Sequence, residues 1–128
     1  MKYGELITNE YPIVITKTNP IDPTIEEIDD FFNEVEKFID STTGPYVFIS
    51  YSEKAVFISS EARIRIGHHA SRLTEKYGAR NKGSIIVSNG VIATVMLKAI
   101  SVVYKPLKEN IIVSSMAEAY TKAQELLK

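Results

Sequence analysis

The order of elements in this sequence predicts an α/β fold with a mixed, mostly parallel five-stranded sheet and four helices. Three short runs rich in β-branched residues occur after residue 44, and each is followed by 10–20 residues with helical spacing. Strands that alternate with helices are joined by crossovers, so they lie parallel while the helices cover the sheet. The three runs are Tyr46–Ile49, Ser84–Val87 and Asn110–Val113. A chain of 128 residues is expected to form one domain, 1–128.

The chain is expected to open with a β-hairpin that is followed by a helix. Strands are predicted near Gly4–Thr8 and Pro12–Thr18, and the three residues between them are enough for a hairpin link. The proline-containing segment 19–23 then breaks the extended run. Thr24 and Glu27 match the capping-box pattern of a helix start. The apolar stripe of this helix is predicted to consist of Ile25, Ile28, Phe32, Val35 and Phe38 or Ile39.

Two further amphipathic helices are predicted in the second half of the chain. One begins at Ser59 or Ser60 and ends before Gly78, because glycine adopts the left-handed C′ conformation at low cost. The other follows the third run, where Ser115–Glu118 is a second capping box. The stripe of the first of these helices has spacings of three or four and consists of Ala62, Ile66, Ala70, Leu73 and Tyr77.

The composition excludes several classes of protein. With no cysteine, the chain has no disulfide, no thiolate metal site and no cysteine nucleophile. No apolar stretch reaches the roughly 20 residues that a membrane-spanning helix needs. The N-terminus, Met1–Glu5, lacks the basic and then apolar layout of a signal peptide. A cytoplasmic protein without an integral membrane segment is therefore expected.

One predicted helix is far more apolar than a helix that only covers a sheet. Ten of the thirteen residues in Val91–Val103 are apolar, although such a helix buries only about a third to a half of its circumference. The excess indicates packing between the sheet and another helix, a subunit contact, or an apolar ligand. A homodimer or a complex with a partner protein is the preferred interpretation. The alternative is a small-molecule or lipid carrier with a pocket bounded by helix 90–104. The candidate contact residues are Val91, Val95, Met96 and Val103.

Charge is divided unevenly along the chain. Residues 1–61 carry a net charge of −8, and residues 62–128 carry a net charge of +7. The two halves could face each other within the fold, pair two subunits, or present opposite surfaces to partners. Arg65, Arg72 and Lys76 could dock the acidic first helix of another copy. No basic stripe with interleaved aromatic residues is present, so nucleic-acid binding is not expected.

No residue pattern in the sequence predicts catalysis, a metal centre or a cofactor. His68 and His69 are adjacent, so on a helix they point about 100° apart and cannot hold one metal together. The two glycine-rich phosphate-binding motifs, G-x-G-x-x-G and G-x-x-x-x-G-K-[S/T], do not occur in the sequence. A protein that is not an enzyme is therefore expected.

A polar rim is nevertheless predicted where the parallel strands end, at the edge of the sheet at which α/β proteins bind ligands. Ser88, Asn89 and Gly90 are the candidate residues for an anion or another ligand at the start of the apolar helix. These residues could recognise a ligand, or they could serve only as turns and helix caps. The remaining members of the rim are Ser52, Ser59, Ser60 and Ser114.

The succession of elements resembles the STAS domain of anti-sigma-factor antagonists. More broadly, it resembles the superfamily of small bacterial proteins that is grouped with CRAL-TRIO lipid-binding domains. The resemblance covers nearly the whole chain, and two segments carry it, Val56–Ala62 and Ile111–Ala119. It implies a regulatory domain that binds proteins, and its CRAL-TRIO side implies lipid binding.

The resemblance also implies a candidate phosphorylation site. In the antagonists, a partner kinase phosphorylates a hydroxyl in the turn before the second helix, and Ser60 matches that hydroxyl, with Ser59 before it. Ile58 stands where the family has an aspartate, and Glu61 replaces a small residue, so the match is incomplete. The structural alternative is that Ser59 or Ser60 only caps the helix.

Overall fold

The computed structural model of the protein describes residues 2–52, 58–87 and 111–128. Within these ranges the strands are β1 (Gly4–Ile7), β2 (Ile13–Thr18), β3 (Tyr46–Ser52), β4 (Asn81–Val87) and β5 (Ile111–Val113). The helices are α1 (Ile25–Asp40), α2 (Ser60–Tyr77) and α3 (Met116–Leu127), and a 3-10 turn, Gly78–Arg80, follows α2.

The strands form one five-stranded sheet in the order β1-β2-β3-β4-β5. β1 and β2 are antiparallel, while β2, β3, β4 and β5 pair in parallel. This arrangement confirms the predicted mixed, mostly parallel sheet with an N-terminal hairpin. The helix predicted over 90–104 lies outside the described residues, as do its four candidate contact residues Val91, Val95, Met96 and Val103.

Helices α1 and α2 cover one face of the sheet with an aromatic core. Tyr46 of β3 is 1% exposed, and its ring meets Phe48 and Tyr77 at centroid distances of 5.2 and 6.4 Å in edge-to-face geometry. The buried members of this core are Val14, Phe31, Val35, Ile39, Tyr46, Leu73 and Tyr77. Because α1 and α2 share this core, both crossovers, from β2 to β3 and from β3 to β4, wind in the same direction.

The buried stripe of α1 differs from the prediction at two positions, and one of them is Ile25, which is half-buried. Phe31 is buried against the sheet, and Phe32, which was predicted there, is half-buried and turns towards α2. Either residue continues the helical spacing from Ile28 to Val35, so the sequence pattern cannot distinguish them. The sheet selects Phe31, whose ring packs directly on the backbone of Gly4 in β1, where a Cβ atom would lie 2.7 Å from the ring.

The opposite face of the sheet is covered by α3 and is aliphatic. Ala119 and Ala123 are fully buried, and their small side chains allow the helix to approach the strands closely. At Gly83 of β4, a Cβ atom would lie 2.8 Å from Cδ1 of Leu126. The buried members of this core are Ile13, Ile15, Val47, Ile49, Ile85, Val113, Ala119 and Ala123.

Candidate functional site

The three described helices all begin at the edge of the sheet where the parallel strands end, and side-chain oxygens cap each start. Thr24 accepts the N–H of Glu27 at 3.1 Å while Glu27 accepts the N–H of Thr24 at 2.9 Å. Ser59 caps α2 by accepting the N–H of Ala62 at 3.1 Å, and Ser115 caps α3 in the same manner. These contacts satisfy backbone donors that would otherwise be free to hold an anion.

Both candidate phosphorylation sites have contacts within the chain. Ser59 is the cap of α2, and its backbone N–H also donates to the carboxylate of Asp22 at 3.0 Å. The hydroxyl of Ser60 accepts from Nη2 of Arg63 at 2.9 Å, and Nη1 of the same guanidinium donates to the carbonyl of Ile58 at 2.7 Å. Ser59 therefore caps the helix, as the structural alternative predicts. Phosphorylation of Ser60 stays a prediction.

Two hydroxyl pairs lie at the same edge, between β2 and β3 on the face that α1 and α2 cover. Thr16 and Ser50 are 2.8 Å apart, and Thr18 and Ser52 form the neighbouring pair. Sequence reasoning named only Ser52, because the pairs arise from the register of β2 on β3, which no local pattern reveals. In each pair one hydroxyl donates to the other, so these side chains bond to each other across the two strands. Ser88, Asn89 and Gly90 lie outside the described residues.

A row of charged side chains joins α1 to α2, and we call it the α1–α2 seam. Arg65 donates two hydrogen bonds to Asp29, from Nε at 2.7 Å and from Nη2 at 2.8 Å. Nε2 of His69 lies 2.6 Å from the same carboxylate. The hydrogen bonds from Arg65 and then His69 hold the pKa of Asp29 well below its ordinary value.

The seam continues towards the C-terminal ends of both helices. Glu36 accepts from Arg72 at 2.8 Å and from Lys76 at 2.9 Å, and Lys76 also reaches Asp40 at 3.1 Å. The hydrogen bond from Lys76 lowers the pKa of Glu36, and that from Tyr77 lowers the pKa of Asp40. Burial, and then the hydrogen bond to Asp40, raises the pKa of Tyr77 to about 12.

His69 lies in the middle of the seam, and both of its ring nitrogens are engaged. Nη2 of Arg72 lies 3.0 Å from Nδ1, and a guanidinium can only donate, so Nδ1 accepts and Nε2–H donates to Asp29. The ring stacks on Phe32 at 4.8 Å with an interplanar angle of 6°. A histidine held in this way has no free lone pair for a substrate. In the part of the chain that the structure describes, no three metal-ligating side chains cluster.

The seam pairs basic side chains of the second half of the sequence with acidic side chains of the first half. Arg65, Arg72 and Lys76, which were considered for docking on another copy, pair with carboxylates on α1 of their own chain. Among the described residues, the acidic side chains of α1 and the basic side chains of α2 therefore face each other within the fold.

A different kind of surface lies at β5. Ile112 is 54% exposed, and the only other large apolar side chain so exposed in the described residues is Ile64 of α2, at 47%. Ile111 and Val113 pack on the α3 side, so alternation places Ile112 on the opposite face, beside its registered neighbour Ile86 of β4. β5 contains no charged residue. The sheet thus ends, among its described strands, in an uncharged strand with an exposed isoleucine.

Comparison of the chain with models of protein families, with curated proteins and with solved structures finds no match. The resemblance to STAS domains consequently stays a prediction. Among the described residues, no helix has both the length and the apolar character needed to cross a bilayer.

Proposed function

We propose that this chain is a non-enzymatic, STAS-like domain that acts by binding another protein chain at the surface formed by β5 and the adjacent part of β4. The observation that carries the proposal is the exposure of Ile112 on an uncharged edge strand. An exposed apolar residue on a strand edge favours association, because the free backbone groups of the edge can pair with another strand.

The two edges of the sheet differ in a way that supports this surface. Strands at the edges of monomeric proteins are commonly protected by charged side chains. β1 contains the charged residue Glu5. β5 consists of two isoleucines and a valine, so none of its three residues is charged. The β5 edge is therefore the better candidate for binding.

The chemistry of the seam favours binding over catalysis. A general base needs a free lone pair and a pKa near the working pH. Asp29 and Glu36 have lowered pKa values because cations donate to them, and both nitrogens of His69 are bonded within the chain. These groups connect α1 to α2 and are poorly suited to accept a proton from a substrate.

The winding of the sheet also favours a surface over a ligand crevice. Open α/β sheets bind small molecules where successive crossovers go to opposite faces and leave a cleft between the helices. In the described part of the chain, the crossovers that contain α1 and α2 lie on the same face. No such cleft is expected between β2, β3 and β4.

Site-specific crosslinking tests the proposal without assuming the partner. A photoreactive phenylalanine analogue is placed at position 112 in cells, and a matched variant carries it at position 64, the other exposed isoleucine. We expect a discrete crosslinked protein from position 112 and none from position 64. The captured chain is then identified and purified, and its binding must weaken in Ile112→Lys. Equal yields from both positions, or none from position 112, would contradict the proposal.

A further inference from the structure

We infer that the partner at β5 is a second copy of this chain, joined by antiparallel pairing of the two β5 strands about a two-fold axis. The inference rests on the proposed function, since it names the occupant of the same surface. The most common closed assembly of identical chains is a two-fold dimer, in which one patch meets its own copy.

The sequence of β5 suits pairing with itself. When two β5 strands pair antiparallel, all three residues of each strand find a partner only if the two-fold axis passes through Ile112. In that register Ile112 faces Ile112 of the partner subunit, and Ile111 faces Val113 of the partner subunit. Every cross-strand pair consists of two apolar, β-branched side chains, and such side chains are favourable neighbours in a sheet. None of these pairs brings like charges together.

The sheet faces also continue across such a pairing. Ile86 lies beside Ile112 in the register of β4 on β5. The pairing therefore creates a row of four isoleucines on one face, two from each copy, and covers the exposed side chain of Ile112. On the other face Ile111 and Val113, which already pack with α3, extend their core towards the same core of the partner subunit.

The other edge of the sheet does not offer the same fit. A contact between β1 and β5 would be heterologous, so each copy would keep one open edge of each kind and the assembly could grow into a filament. It would also place Glu5 of β1 beside the apolar side chains of β5. A β5–β5 contact closes after two copies and avoids that mismatch.

Complementary charges at position 112 test the inference. Sedimentation velocity over a range of concentrations is expected to show a concentration-dependent dimer for the native chain. Ile112→Lys and Ile112→Glu, each alone, place like charges at the two-fold axis and should weaken the dimer at least about tenfold. An equimolar mixture of the two variants should restore a dimer that contains one of each. Ile64→Lys, the matched control, should dimerise like the native chain.

The outcomes separate this inference from the proposed function. Thermal melting of each variant confirms folding, which we expect because position 112 is largely exposed. A native chain that is monomeric at every concentration, a dimer that survives both charges, or a mixture that stays monomeric would overturn β5 self-pairing. If the crosslinker at position 112 then captures a different protein, the proposed function stands without the second copy. If it captures nothing, both are wrong.

Discussion

The two faces of the sheet are covered by different means. On one face α1 and α2 bury aromatic rings and are joined by the α1–α2 seam of hydrogen-bonded charges. On the other, α3 lies close to the strands through the small side chains of Ala119 and Ala123. The comparison teaches that apolar burial should dominate stability on both faces. The seam, whose side chains are partly exposed, should mainly orient α2 on α1.

The largest effect is expected from the aromatic core. Tyr46→Ala removes a fully buried ring that contacts Phe48 and Tyr77, and the cavity should lower the free energy of unfolding by about 3–5 kcal/mol. Urea denaturation measures the change. Tyr11→Ala, which removes a half-buried ring at the margin of the same core, is the control and should cost less. Equal losses would mean that the core is not centred on Tyr46.

The close approach of α3 can be tested by adding volume. Ala123→Leu inserts a larger side chain where the helix meets the sheet, and overpacking should cost about 1–3 kcal/mol of unfolding free energy. The neighbouring Gln124→Leu places the same side chain on the exposed side of α3 and should be nearly neutral. An Ala123→Leu protein as stable as the native chain would show that α3 does not pack closely on the sheet.

The seam predicts how stability changes with pH. Asp29, Glu36 and Asp40 have lowered pKa values in the folded chain, so an unfolded chain takes up protons first as the pH falls. Their contribution is fully present above the ordinary carboxyl values of 3.8 and 4.5 and is lost progressively below them. Urea midpoints measured from pH 7 to pH 3 should be flat and then fall.

A double variant checks that the fall comes from the seam. In Asp29→Asn with Glu36→Gln, two of the three carboxylates can no longer be protonated, so the decline towards pH 3 should be shallower than in the native chain. An unchanged slope would assign the acid sensitivity to carboxylates elsewhere in the protein.

The smallest effect is expected from a single seam contact. Asp29→Asn keeps the shape of the side chain but removes the charge that Arg65 and His69 contact, and exposed ion pairs contribute little. We expect the melting temperature to fall by at most about 5 °C. Asp30→Asn, at the exposed neighbouring position, should leave it unchanged. A loss as large as that of Tyr46→Ala would show that the seam stabilises the fold as much as the core does.

Much of the local structure was predictable because its causes lie within a few residues. Thr24 with Glu27, Ser59 and Ser115 begin helices where the capping patterns placed them, and Gly78 ends α2 with a φ of +53°. The alternation of strands and helices predicted the parallel part of the sheet. For the candidate site, the patterns identified Ser59 as a possible cap but gave no role to His69 beyond excluding a joint metal site with His68.

What the sequence by itself determined is therefore the set of elements and their ends, since caps, turns and periodicity act between residues close in the chain. Only the tertiary structure decided that Phe31 and not Phe32 faces the sheet, that Thr16 meets Ser50, and that carboxylates of α1 pair with cations of α2. It alone left Ile112 exposed at the end of the sheet. Each of these depends on which strands and helices become neighbours, and such contacts join residues 26 or more positions apart that no local spacing relates.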